Sequence, residues 1–489
     1  WVKPASCSDI PPASIRWVDP RIDAPSRRLS IPIRRVCWMP RFCMAQPIDH
    51  RSEPPHDPYI AFRYGAFRLY TFSWVAAVIA SQLLATTAGW ELYRITKQEI
   101  MLGWLGLVQA LPVIFLSLLA GHAVDPYSRK SVLIVTQVFL VACPLGLAIA
   151  AMRGLDAPAW IYVAMFVNAV ALTFARPARG SMLPRLVPAD VFPNAVTWNS
   201  SVFSLTTIVG PALAGFMIAY AGVSATLSTS AAFMALCMVM TFFLPDPGPA
   251  KNPQPMNLRS LTLGLKFVMT NKLMLGAMGL DMFAVMVGGA MYILPALAAE
   301  LDAGEVGFGW MRAAPAIGAG IMALAQAHRR PWQHAGRAML LAVVGFGAAT
   351  IVLGLSRNYW LSLGMLLLIG VFDNISVVVR HSLVQLLTPD VMRGRVTAVN
   401  QVFIGSSNEL GGLESGLNAQ GMGLGPSGVV GGAVQVVGQP AQRRVNQDRA
   451  PSDPLVGPQP RRESARQPQR PDIPGRVARA RLGRQAQIG

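Results

Sequence analysis

The sequence predicts an all-α integral membrane protein of two six-helix pseudo-repeats, with the twelfth helix missing or degenerate. Three observations carry this prediction: eleven continuous apolar runs, a basic bias confined to alternate loops, and a gapless internal repeat.

The chain has 489 residues, 53% hydrophobic and 13% charged, with 42 Lys+Arg against 24 Asp+Glu and a formal charge of +18. A soluble protein of this size would be about 25% charged. The surplus of positive charge is uneven. Residues 1–63 and 418–489 together contribute +11, and the 354 positions between them contribute +7. An apolar body with polar basic ends excludes a soluble enzyme, a collagenous chain and a wholly disordered one. The positive charge of the ends is not read as affinity for nucleic acid.

In chain order, residues 1–63 read as a polar N-terminal extension rich in Pro, Arg and Ser. Met44 looks like a natural start, and the segment lacks the apolar core of a signal peptide. Apolar runs follow near 69–90, 101–121, 132–152, 158–178, 194–221, 223–244, 273–299, 307–327, 338–355, 359–379 and 396–416. Each approaches the roughly 20 residues that cross a hydrocarbon core. Continuous runs, without ten-residue alternation, predict helices and not barrel strands. The Pro-rich stretch 245–272 separates a bundle over 64–244 from a second over 273–417 and reads as a cytoplasmic linker. From 418 the apolar pattern collapses into a basic Pro/Arg/Gln-rich tail, disordered or translated out of frame.

Loop charges set the expected orientation. With the N-terminus inside, sixteen basic residues fall in inner loops, including Arg129, Lys130, Arg176, Arg179 and Arg380, against Arg94, Lys97, Arg153 and Arg357 outside. That bias predicts a multi-pass protein of the inner membrane with a cytoplasmic N-terminus. The repeat is offset by 201 positions: Arg179, Ser181, Leu186, Pro188, Asn199, Gly210 and Gly215 match Arg380, Ser382, Leu387, Pro389, Asn400, Gly411 and Gly416. Parallel six-helix repeats of this kind build one class of transporter.

The loop Gly121-His-Ala-Val-Asp125-Pro-Tyr-Ser-Arg129-Lys130 is similar to the Gly-x-x-x-Asp-x-x-Gly-Arg-Lys loop of the major facilitator superfamily, with Ser128 where Gly is usual. Over 64–416 the chain resembles that superfamily, and 373–411 resembles its bacterial enterobactin and macrolide exporters. The resemblance implies an intracellular latch at Asp125, Arg129 and Lys130. Gly210-Pro211-Ala-Leu-Ala-Gly215 resembles an exporter signature; as bare chemistry it equally describes a tight helix crossing.

A charge inside a membrane helix costs roughly 2.5–3.5 kcal/mol, so each one needs a reason. Asp281, Arg312, Asp373 and Glu409 are the candidates for transport and proton coupling. The alternative is structural pairing, of Arg312 with an acidic neighbour or of Asp373 with Arg380. Gln82, Gln109 and Asn168 offer polar lining in the first half, and Trp90 and Tyr93 read as interface-belt aromatics. The sequence has no Gly-x-x-x-x-Gly-Lys-Ser/Thr loop and no Cys/His metal spacing. The expected protein is therefore not an enzyme and needs no cofactor or metal. Its expected partners are the lipid bilayer, protons and a small-molecule substrate, with no nucleic acid, and it is expected to act as a monomer. The predicted function is proton-coupled export of a small amphipathic or siderophore-like molecule by alternating access. An uptake carrier of the same fold, or a truncated and non-transporting chain, are the alternatives.

Overall fold

The computed structural model describes residues 57–124, 127–246, 248, 265–287, 290–328, 335–389 and 392–447. Helices dominate them, and no strand occurs among the described residues. Helix α1 spans Gly65–Thr96 and stops where Lys97 turns left-handed (φ 53°) and its N–H bonds the Tyr93 carbonyl at 2.8 Å. Helix α2 is Glu99–Val124, and α3 is Arg129–Met152, capped by the Ser128 hydroxyl, which accepts from the Ser131 amide. Helix α4, Pro158–Gly180, opens on proline, whose absent N–H needs no partner in a first turn.

Helix α5 runs over Phe192–Phe242, 51 residues, with its dihedrals broken at Gly222 (φ 83°). A straight helix of that length would reach about 75 Å, more than twice a hydrocarbon core of roughly 30 Å. The break at Gly222 divides it into two crossing lengths, at the gap the apolar runs leave between 221 and 223. The second half comprises α6 (Lys272–Val287), α7 (Ala290–Glu300), α8 (Gly304–Ala327), α9 (Ala335–Leu355), α10 (Tyr359–Leu387), α11 (Arg393–Met422) and α12 (Leu424–Gln447). Eight helices among the described residues are long and apolar enough to cross a membrane.

The apolar run 273–299 is described over α6 and α7, which flank residues 288–289, and those two lie outside the described residues. Two expectations are corrected. The polar extension does not continue to 63: from Asp57 the chain is packed, and the Pro58 carbonyl accepts from Trp198 Nε1 at 2.8 Å and Asn194 Nδ2 at 2.9 Å. Helical structure does not end near 417, because α12 continues to Gln447, although its apolar part, 424–437, is shorter than a full span. Its glycines explain how so weak a sequence packs. A Cβ at Gly428 would stand 3.0 Å from the Gly354 Cα, so α12 and α9 meet nearly backbone to backbone and need little apolar side chain between them. Residues 1–56, 448–489 and most of the linker lie outside the described residues.

The two sets of helices close on one another at the end of the bundle carrying the α1–α2 turn. Trp90 stacks on Phe308 with ring centroids 5.1 Å apart, so it is a packing residue and not a belt aromatic. A Cβ at Gly215 would lie 2.7 Å from the Gly309 Cα, and one at Gly416 would lie 2.7 Å from the Gly103 Cα. Gly215 and Gly416 are the last matched pair of the repeat, and each carries a helix of one half against a helix of the other.

Candidate substrate cavity and charge cluster

Toward the opposite end, the helices leave a cavity of about 590 Å³ among α1, α3, α4, α5 and the start of α11. Tyr70 and Trp74 reach it from α1, Gln137 from α3, Arg176 and Arg179 from α4, Asn199 and Phe203 from α5, and Gln401 from α11. Arg179 is buried and not a solvated loop charge. Its guanidinium lies 4.8 Å from the Trp74 ring centroid and 5.8 Å from that of Tyr70, and donates to Ser73 Oγ at 3.4 Å and Cys237 Sγ at 3.3 Å. The Tyr70 hydroxyl returns a bond to the Arg179 carbonyl at 3.3 Å. Gln137 Nε2 donates to Thr241 Oγ1 at 3.0 Å, which fixes the amide against the second length of α5.

The signature glycine has a local task here. A Cβ at Gly210 would stand 2.9 Å from Gln82 Cγ, so the bare backbone of α5 admits the Gln82 side chain, which lines the cavity. Pro211 is buried beside it, and Gly215 makes the crossing with Gly309 described above. The segment is thus a tight helix crossing that also shapes the cavity wall.

A second group lies where α7, α8 and α11 meet. The Tyr292 hydroxyl donates to Glu409 Oε2. Arg312 is within electrostatic reach of both, and Arg176 of α4 acts on the same carboxylate from the first half. Gly412, one turn beyond Glu409, makes room for the Tyr292 ring: a Cβ there would stand 2.7 Å from its Cγ. The structure therefore brings Arg312 and Glu409 together and adds Tyr292 and Arg176. Asp373 lies apart on α10; no described residue forms an ion pair with it, and none joins it to Arg380. Its neighbour Asn374 accepts from Gln326 Nε2 at 3.3 Å. Asp281 falls on α6, and its side chain lies outside the described residues.

At the α2–α3 turn, Asp125 is likewise outside the described residues. Arg129 opens α3, donating from Nε to Ser181 Oγ at 2.9 Å and from Nη1 to the Gly248 carbonyl at 3.2 Å. Lys130 Nζ sits 5.3 Å from the Phe242 ring centroid. These contacts tie α3 to the α4–α5 turn and to the segment following α5.

Sequence reasoning missed Tyr292, Trp74 and the inward placement of Arg179. Tyr292 is uncharged within an apolar run and gave no signal. Arg179 and Asn199 did give one, since both are matched in the repeat by Arg380 and Asn400, and all four are at least partly buried.

A family model described as transmembrane secretion effector, of the major facilitator superfamily, matches residues 56–453. The enterobactin exporter of Shigella boydii serotype 4 is 24% identical over 337 residues, 68% of this chain and 80% of that protein. The enterobactin exporter of Escherichia coli O1:K1 is 23% identical over 335 residues, with the same coverage. Among solved structures, the nucleoside transporter NupG superposes with a TM-score of 0.62 at 14% identity, covering 78% of this chain and 98% of that one. A bacterial homologue of the human lysosomal transporter Spinster gives 0.60 at 11% identity, covering 80% and 96%. At these identities the solved structures show a shared fold.

Proposed function

Because the chain belongs to the transmembrane secretion effector family, and is thus a multi-pass membrane transporter of the major facilitator type, we propose that it is a proton-coupled exporter of a small amphipathic or siderophore-like molecule. It sits in a bacterial inner membrane with its N-terminus in the cytoplasm, as the loop charges favour. The helices rock about the glycine crossings, so that the cavity faces one side of the membrane and then the other.

The observation that carries this reading is the Tyr292–Glu409 bond beside Arg312, with Arg176 reaching the same carboxylate from the first half. A carboxylate held between the halves can take a proton in one arrangement and release it in the other. A change in the distance of its neighbouring guanidiniums between the two arrangements alters its hold on the proton. Export as the direction rests on the named exporters among the relatives and on the Gly210–Gly215 segment.

Everted membrane vesicles energised so that their lumen is acid, with protons running outward, provide the test, with enterobactin as the first probe because the relatives are named for it. Accumulation that requires the gradient and is lost in Glu409→Gln is expected. Accumulation unaffected by collapsing the gradient removes proton coupling.

A further inference from the structure

We propose that the cavity selects an organic anion bearing a flat ring, and that Arg179 and Trp74 form the recognition site. This rests on the transporter reading above and names its substrate class.

The charge of the lining comes first. Two guanidiniums, Arg176 and Arg179, face the cavity, and none of its described lining residues is Asp or Glu. Neither arginine is ion-paired to a described carboxylate. Arg179 is buried, where an uncompensated charge is costly. Its compensation consists of two aromatic faces, a hydroxyl and a thiol, which stabilise a cation without neutralising it. An incoming carboxylate or phenolate supplies the missing charge, and guanidinium geometry suits it.

The second observation concerns unused hydrogen-bonding capacity. Trp74 Nε1, Asn199 Oδ1 and Gln137 Oε1 are buried with no hydrogen-bond partner. Buried polar atoms are normally satisfied, so three orphans around one cavity mark places where a ligand can bond. The set comprises one donor and two acceptors, which fits a ligand carrying hydroxyl groups as well as the anion.

The third observation is shape. Trp74 and Phe203 lie nearly parallel, 19° apart with centroids separated by 6.0 Å, and both line the cavity. Flat apolar walls beside fixed cations match an aromatic acid better than a sugar or an aliphatic amine.

Equilibrium binding to the purified full-length chain, with no gradient applied, tests the inference. Three probes share one ring system: 2-naphthoate, the neutral 2-naphthylmethanol and the cationic 2-naphthylmethylammonium. A charge-assisted bond is worth 1.5–3 kcal/mol, so naphthoate is expected to bind at least about tenfold more tightly than either analogue. Arg179→Gln should remove that preference while leaving the neutral alcohol's affinity within about twofold, and Arg179→Lys should restore part of it. If Arg179→Gln does not fold, Arg176→Gln carries the test, since that side chain is exposed and should lower naphthoate affinity several-fold. Equal binding of the three probes, tighter binding of the ammonium, or naphthoate affinity unchanged in the arginine variant overturns the proposal. Anion binding without energised transport would remove the transporter reading and leave the site standing. Energised efflux of cations alone would do the reverse.

Discussion

The Ser128 hydroxyl donates to the Asp246 carboxylate at 2.7 Å, joining the turn before α3 to the segment after α5. Ser128 occupies the position where related loops carry glycine, and it does two things glycine cannot: it caps α3 and it holds Asp246. Ser128→Gly is expected to lower the melting temperature by removing both contacts, with the cap alone worth a few tenths of a kcal/mol against glycine and about 1 against alanine. Ser128→Ala should therefore be the more damaging change, measured by thermal unfolding in detergent.

The same contact gives a pH dependence with a definite sign. The Ser128 bond, followed by the Gly248 amide and Lys130, holds the Asp246 carboxyl below the ordinary 3.8. A carboxylate depressed in the folded state contributes stability that is complete above its unfolded value and is lost as pH falls through the folded one. The melting-temperature difference between the wild type and Asp246→Ala should be constant from neutral pH down to about 5 and then shrink in stronger acid. A difference that persists unchanged in strong acid removes the carboxylate as its source.

The glycine crossings should be sharply position-specific. Gly215→Ala and Gly416→Ala each place a Cβ within 2.7 Å of a backbone atom on the facing helix. Overpacking of that kind costs typically 1–3 kcal/mol. Gly364 on α10 has no neighbour within 4 Å of an added Cβ, and Gly364→Ala should be neutral or mildly stabilising. Melting curves of the three variants provide the comparison.

Tyr292→Phe removes the hydroxyl bonded to Glu409 and leaves the ring in place against Gly412. Transport driven by a proton gradient should fall about tenfold or more, as for loss of one hydrogen bond to a charged group. Ligand binding at equilibrium should stay near wild type. Glu409→Gln should abolish gradient-driven movement while sparing substrate exchange across a membrane with no gradient. Tyr292→Phe with full gradient-driven activity would place the hydroxyl outside the coupling step.

Helix α12 should be required. Ending the chain before Leu424 uncovers Gly347 and Gly354 of α9, whose backbone faces α12. The shortened protein should elute as aggregate in size-exclusion chromatography, and elution as a single monodisperse species would show the helix to be dispensable.

The spans were legible because membrane burial demands long apolar runs, and even the break at Gly222 left its mark as a gap of one residue. Helix α12 was not legible, because backbone contact between glycines replaces the apolar side chains that hydropathy reads. Arg312 and Glu409 stood out as charges in apolar surroundings. Arg179 did not, since a basic residue near a helix end obeys the loop-charge rule whether it points to solvent or into a cavity. Tyr292 could be found only once α7 and α11 were placed side by side.

The cavity whose described lining holds two guanidiniums and no carboxylate has an electrical consequence. An anionic cargo leaving a cell whose interior is negative moves down the membrane potential, gaining about 2.3 kcal/mol per charge for every 100 mV. If each anion leaves in exchange for one entering proton, two charges are displaced per cycle and that gain doubles. Such a carrier would be driven by voltage as well as by pH. Clamping the potential with a potassium ionophore at constant pH should then change its rate, which an electroneutral exchanger would not show.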